Sequence, residues 1–213
     1  MNTLNIYEVF SSIQGESSHA GRPCFFIRLA GCNLRCSYCD TSKAWLHEAG
    51  KKMTIESLVK MAEESGISLV EITGGEPMLQ AAVPELCRQL LAKRFEVLME
   101  TNGSQPLNTL PAGVKRIIDW KTPSSGESEQ MFEENFRNLR PYDEVKFVIA
   151  DFDYAVNVMK RFQLDTGATV LFAPVFGKMN PDKLVEKILK HNLPVRLNLQ
   201  IHKLIWGADA EGV

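Results

Sequence analysis

A chain of 213 residues with 45% apolar and 23% charged side chains has ordinary globular composition, which excludes a disordered or fibrous protein and suits one domain over residues 1–213. Lys plus Arg total 24 against 26 Asp plus Glu, a formal charge of −2, so no broad positive field invites nucleic acid as a partner. No apolar run approaches the ~18–20 residues that span a bilayer, and residues 1–10 lack the basic start and apolar core of an export signal, so a cytoplasmic chain with no membrane partner is expected.

In chain order, short β-branched or aromatic runs alternate with helical patterns. Strands are predicted at 25–29, 69–73, 96–101, 114–120, 144–150, 169–174 and 195–200. A helix is predicted over 53–65, with Thr54 as its N-cap. Another covers 79–94, where Leu79, Val83, Leu86, Leu90 and Leu91 recur at three- and four-residue steps. A third covers 181–191, with Pro181 in its first turn and Leu184, Val185, Ile188 and Leu189 as its buried stripe. Strand–helix alternation predicts an α/β fold built on a parallel sheet with right-handed crossovers. A closed eight-unit barrel needs ~250 residues and at least ~200. About six or seven strands therefore predict a partial, open-sided (β/α)6 barrel of the TIM-like kind, with a doubly wound sheet as the alternative.

The polar and glycine-rich motifs fall at the C-terminal ends of these strands. Gly31-Cys32 follows the first, Thr73-Gly74-Gly75-Glu76-Pro77 the second and Glu100-Thr101-Asn102-Gly103 the third. Asp119-Trp120-Lys121 closes the fourth, Ala173-Pro174-Val175-Phe176 the sixth and Gln200-Ile201-His202 the last. Parallel α/β folds assemble their sites on that rim, so one shared site is expected.

Cysteine use sharpens the chemistry. There are five cysteines, and Cys32, Cys36 and Cys39 form a C-x3-C-x2-C cluster. An odd count without an export signal argues against a disulfide framework. Structural zinc wants four closed ligands, usually in two separated pairs, and Cys24, His19 and His47 stand at no familiar offset for a fourth. Three thiolates suit instead an iron–sulfur cubane with one iron left open to a non-protein ligand. Cys24 and Cys87 read as small buried side chains.

With this motif the chain resembles the radical S-adenosylmethionine (SAM) superfamily. The resemblance implies one [4Fe-4S] cluster per chain, with SAM chelating the open iron. Tyr38 matches the aromatic residue common between the last two cysteines, and Thr73-Gly74-Gly75-Glu76-Pro77 resembles the glycine-rich segment that meets the SAM amino group. There Glu76 can complement an ammonium, while the two glycines admit close approach of backbone to ligand.

The segment from Ile6 to Glu16, which contains Ser12-Ile13-Gln14-Gly15-Glu16, leads on through Phe26-Ile27-Arg28-Leu29 to the cysteines and Asp40-Thr41. These stretches are similar to the 7-carboxy-7-deazaguanine synthases, and the likeness runs from Ile6 to Leu204. It implies conversion of 6-carboxy-5,6,7,8-tetrahydropterin to 7-carboxy-7-deazaguanine with loss of ammonia, in queuosine precursor synthesis. It also implies Mg²⁺ at the Thr41 hydroxyl, a homodimer, and an electron donor such as flavodoxin. Carried over by position, Ile13, Gln14, Gly15, Glu16, Arg28, Thr73 and His202 would contact substrate. Tyr38, Cys39, Asp40, Gly75, Glu76, Asp119, Trp120, Lys121 and Ala173, Pro174, Val175, Phe176 would contact SAM. Alternation would turn Arg28 opposite to Ile27 and Leu29, into a polar interior, where its guanidinium suits a carboxylate; a solvent-facing edge arginine is the alternative. Glu16 as an ordinary loop carboxylate and His202 as a structural histidine are likewise the bland readings.

Three departures stand out. Ser17 occupies a position where the family usually has glycine, Asp119-Trp120 replaces a serine-proline pair, and Ala173 replaces a common glutamine. An activase that installs a glycyl radical shares the cysteine spacing, and a zinc or electron-transfer protein is the non-enzymatic alternative. The Gln14–Glu16 segment has no evident purpose in the activase.

Overall fold

Alternation along the strands gives the sheet two unlike faces, one for helices and one for the site. In the computed structural model, which describes residues 2–208 and 210–213, nine strands form one sheet. They are β1 (Thr3–Ile13), β2 (Pro23–Leu29), β3 (Lys51–Thr54), β4 (Leu69–Gly74), β5 (Glu96–Thr101), β6 (Lys115–Trp120), β7 (Glu144–Ile149), β8 (Thr169–Pro174) and β9 (Arg196–Leu197). Helices α1 (Ile55–Ser65), α2 (Val83–Ala92), α3 (Glu134–Arg137), α4 (Phe152–Phe162), α5 (Leu164–Gly167), α6 (Pro181–Lys190) and α7 (Ile201–Trp206) fill the connections. The order is β3-β1-β2-β4-β5-β6-β7-β8-β9, parallel from β2 to β9, with β1 antiparallel to both of its neighbours. The sheet does not close on itself: this is the partial barrel, not the doubly wound alternative.

Local signals explain the elements that the sequence made legible. Thr54 Oγ1 accepts from Ser57 N at 3.1 Å and starts α1, which Gly66 ends at a left-handed φ of 68°. The predicted second helix begins later than expected, at Val83, because Pro77–Leu79 forms a separate 3₁₀ turn. The last predicted strand shrinks to two residues, since the chain turns into α7 after Gln200. β1, β3 and α4 were not anticipated. β1 owes its stability to pairing on both edges and to burial of Leu4 and Ile6.

The outer face of the sheet and the helices share a large apolar core that includes Ile27, Leu58, Ile72, Leu86, Met99, Ile118, Phe147 and Phe172. The inner face carries a smaller apolar floor of Cys24, Phe26, Leu69, Leu98 and Ile117. Residues 14–22 lace the two sides of the open barrel together. Ile201 N donates to Gly15 O at 3.0 Å, Ser17 N to Asn198 Oδ1 at 2.8 Å, and Ser18 to the Glu144 carboxylate. No helix among the described residues is long and apolar enough to cross a membrane.

Candidate functional site

Two residues beyond the apolar floor, the same inward positions turn polar. Strand register sets Arg28 beside Thr73, Phe26 beside Glu71 and Asp119 beside Lys146. Arg28, Glu71, Thr73, Glu100, Asp119 and Lys146 thereby line a cleft of about 650 Å³ at the C-terminal end of the sheet.

Lys146 is the electrostatic centre of that ring. Its side chain is only 6% exposed, and its ammonium bonds Glu100 as well as Glu16 Oε2 at 3.0 Å. Burial works against the charge, but Glu100 and Glu16 outweigh it and hold the ammonium well above its ordinary range. Glu100 is likewise opposed by burial, yet Lys146 and a 3.1 Å bond from Thr73 Oγ1 keep its carboxyl below the usual range. Glu71 has no such cation in contact. Burial, reinforced by Glu100, raises its carboxyl well above its ordinary value.

The Gln14–Glu16 turn rests on this ring. Gln14 Nε2 bonds Glu71 and its Oε1 accepts from Glu16 N at 3.0 Å, so both ends of the Gln14 side chain are committed inside the protein. Glu16 accepts from Lys146, Asn198 (3.1 Å) and Gln200 (2.8 Å), which fixes its carboxylate in the cleft. A Cβ on Gly15 would run into the His202 ring, so glycine here lets that histidine close over the turn. Burial lowers the His202 pKa, leaving a neutral imidazole at pH 7. Arg28 Nε donates to Glu8 Oε1 at 2.7 Å and its guanidinium lies over Phe10. Its terminal nitrogens have no hydrogen-bond partner among the described residues, and they lie in the cleft wall.

The cysteine loop leaves β2 and forms the adjoining wall. Cys32, Cys36 and Cys39 are all free thiols that line the cleft. Burial pushes the Cys36 thiol up to about 11 and also raises Cys32, so ionisation needs a bound cation to drive it. Among the described residues no three His, Cys, Asp or Glu side chains converge tightly enough for a single ion. Three sulfur donors opening on one cleft fit a polynuclear iron–sulfur group better than mononuclear zinc. Gly75 packs against the same loop: a Cβ there would strike the Gly31 carbonyl and Cys32, so glycine lets the β4 end approach the loop closely.

Beside the loop, Lys121 Nζ bonds Asp119 Oδ2 at 2.6 Å. Burial opposes the Lys121 charge, but Asp119 and the nearby Cys36 and Tyr38 outweigh it and the net shift is upward. Among the described residues Asp119 Oδ1 is buried without a hydrogen-bond partner, and burial pushes the nearby Tyr38 phenol up to about 12. Asp40 accepts from Lys203 at 2.7 Å and Gln200 at 3.1 Å, and Lys203 outweighs desolvation to hold it below the carboxylate range. The Thr41 hydroxyl donates to Asp40 Oδ1 at 3.1 Å.

Four of the residues singled out in the sequence do not line the cleft: Glu76, Trp120, Ala173 and Pro174. Glu76 is fully buried, accepting from Met78 N (2.9 Å), Thr101 Oγ1 (2.8 Å) and Asn102 N (2.7 Å), so it braces the ends of β4 and β5 instead of facing a ligand. Trp120 follows the inward Asp119 and so points outward, packed edge-on against Phe136 at 4.5 Å. Ala173 and Pro174 are buried in β8, and only Val175 and Phe176 beyond them reach the cleft. Ser17 keeps a left-handed φ of 65°, the conformation that glycine adopts most readily. Glu8, Glu71 and Lys146 were missed as site residues, and Glu100 was placed on the rim without a role. The signal was present in Val70-Glu71-Ile72, Met99-Glu100-Thr101 and Val145-Lys146-Phe147, where charges interrupt apolar strands as Arg28 does. The C-terminal segment, to which the sequence assigned no role, reaches the site: Glu211 pairs with Lys43, and Val213 lines the cleft.

The model of the radical SAM superfamily matches residues 26–120. The chain is 43% identical to the 7-carboxy-7-deazaguanine synthase of Chlorobaculum tepidum, over 99% of this chain and 97% of that one. To the protein of the same name from Koribacter versatilis it is 39% identical, over 99% of this chain and 100% of that one. Its fold is like that in the crystal structure of QueE from Escherichia coli, with a TM-score of 0.75, 21% identity, and coverage of 93% of this chain and 94% of that one.

Proposed function

The chain belongs to the 7-carboxy-7-deazaguanine synthase family of radical SAM proteins, and from that premise we propose how its cleft divides the work. It is a radical SAM enzyme of 7-deazapurine biosynthesis, on the route to queuosine, and it works with a [4Fe-4S] cluster and SAM. Cys32, Cys36 and Cys39 would hold the cluster, which together with SAM would supply the radical chemistry for a ring contraction with loss of ammonia. The proposed substrate is 6-carboxy-5,6,7,8-tetrahydropterin.

The carrying observation is that the three thiols, the open end of the Arg28 guanidinium and the clamped Glu16 carboxylate share one cleft. Arg28 takes the substrate carboxylate in a bidentate fork, with Glu8 fixing its rotamer. Glu16, immobilised by Lys146, Asn198 and Gln200, accepts from pterin N–H groups, and the Ile13–Gly15 backbone follows the pterin edge. Gln14 acts as the brace of Glu16, not as a ligand in its own right. Thr73 contacts substrate from the ring, and neutral His202 closes over it. Burial beside Glu100 raises the Glu71 carboxyl, which disfavours a second negative charge next to Glu100. On the SAM side, Tyr38, Cys39, Asp40 and Gly75 flank the methionine end, while Asp119, Lys121, Val175 and Phe176 frame the adenosine. The buried, unpartnered Asp119 Oδ1 supports a ligand there. Thr41 offers its hydroxyl to Mg²⁺, a hard cation that keeps most of its waters.

A homodimer, a flavodoxin-type electron donor and a cytoplasmic setting complete the proposal. Five unpaired thiols favour a reducing compartment. Anaerobic incubation with the carboxytetrahydropterin, SAM and reductant, followed by mass analysis, should yield the carboxydeazaguanine. Consumption of SAM without that product would overturn the substrate assignment.

A further inference from the structure

We propose that Asn102 sets the reduction potential of the cluster by donating a hydrogen bond to one of its three ligands, Cys32; the proposal rests on the cluster assignment made above. Asn102 follows β5, is 7% exposed, and sends Nδ2 to Cys32 Sγ at 3.7 Å and to Asn33 Oδ1 at 3.2 Å.

The direction of that amide is fixed by its surroundings. Asn102 Oδ1 accepts from Ser104 N at 3.0 Å, so the oxygen end is committed to the far side. A flipped amide would set oxygen against the sulfur and the Asn33 carbonyl, two acceptors, and would oppose nitrogen to the Ser104 donor. The backbone is pinned as well, since Asn102 N donates to the buried Glu76 carboxylate at 2.7 Å. This gives Glu76 a role that its place in the glycine-rich segment conceals. It reaches the cofactor through Asn102 instead of touching it.

The three sulfurs are thereby made unequal. Cys32 Sγ accepts from Leu34 N at 3.5 Å and from Asn102, whereas among the described residues neither Cys36 nor Cys39 sulfur accepts a hydrogen bond. The Leu34 donor belongs to the backbone of the loop itself. Asn102 is the side chain through which the protein can tune this ligand. Reduction adds an electron to a thiolate-bound cluster, and an N–H aimed at sulfur favours the more negative state. Asn102 is thus a positioning and tuning residue that makes the cluster easier to reduce.

The test is a potentiometric titration of the anaerobically reconstituted holoenzyme, read by the EPR signal of the reduced cluster. Asn102→Asp keeps the acceptor for Ser104 N and the side-chain shape but replaces the donor by a charge; Asn102→Ala removes the donor without adding charge. With iron content equal to wild type, Asn102→Ala should shift the one-electron equilibrium about tenfold against reduction, which is about 59 mV. Asn102→Asp should shift it further the same way. A loaded Asn102→Ala enzyme with an unmoved potential overturns the proposal. Should the variants fail to load, electron–nuclear double resonance on reduced wild type with ¹⁵N in its asparagine amides decides. A ¹⁵N coupling supports the bond and its absence overturns it. Wild type that assembles no cluster would overturn the cofactor assignment, and this proposal with it.

Discussion

Lys146→Met should unfold at markedly lower denaturant, and the size of the loss follows from the charge ring. The lysine side chain is 6% exposed, and its partners Glu16 and Glu100 are 17% and 27% exposed. Removing one member of a buried ion pair strands the other and costs about 3–5 kcal/mol. Glu16 would keep Asn198 and Gln200 as donors, and Glu100 would keep Thr73, so the lower end, about 3 kcal/mol, is expected. With a urea dependence of about 1–3 kcal/mol/M, the midpoint falls by roughly 1–3 M. Equilibrium urea unfolding followed by the fluorescence of buried Trp120 reads this directly. The loss also depends on pH. In wild type Glu100 is held below its unfolded pKa, so its contribution is present above the carboxylate range and fades as pH falls through the depressed value. Without Lys146, only the Thr73 bond opposes burial and Glu100 rises above its unfolded pKa of about 4.3. The variant is then relatively most stable below that pH and loses ground as pH rises. The penalty should therefore be larger at pH 7 than near pH 4.5. A loss under about 1 kcal/mol, or one unchanged across that range, would refute the central place given to Lys146.

Arg28→Ala should weaken substrate binding at least about tenfold, the worth of a charged hydrogen bond, while SAM binding holds; equal losses in calorimetric titrations of each ligand would remove Arg28 from the substrate site. Cys36→Ala should retain the far-UV circular dichroism of the fold but take up no intact cluster and show no turnover, and retained SAM cleavage would contradict its role as ligand. Ser17→Ala keeps the left-handed φ yet loses the Oγ that accepts from His19 N at 3.1 Å, so thermal unfolding should show a loss of about 1 kcal/mol. Ser17→Gly loses the same bond but relieves backbone strain, so it should unfold close to wild type; a Gly variant less stable than the Ala variant would refute the strain argument.

Short-range signals made much of this protein legible before any coordinates. The spacing of Cys32, Cys36 and Cys39 is a property of one loop, and Thr54 starts its helix through a bond three residues away. Alternation within a single strand was enough to send Arg28 inward while Ile27 and Leu29 went to the core. That six rim motifs share one site followed from the parallel order of strands. Tertiary structure alone decided which charges meet. Lys146 finds Glu16 across 130 residues and Glu100 across 46, because strand register stacks β5 and β7 inner positions around one cleft while residues 14–22 fold across it. Glu76 shows the converse: a motif position beside the rim suggested a ligand contact, yet the ends of β4 and β5 close around its carboxylate and turn it inward. Contacts within a turn are written in adjacent residues. The balance of a buried charge depends on partners that crossover connections bring from far along the chain, and only the assembled sheet fixes them.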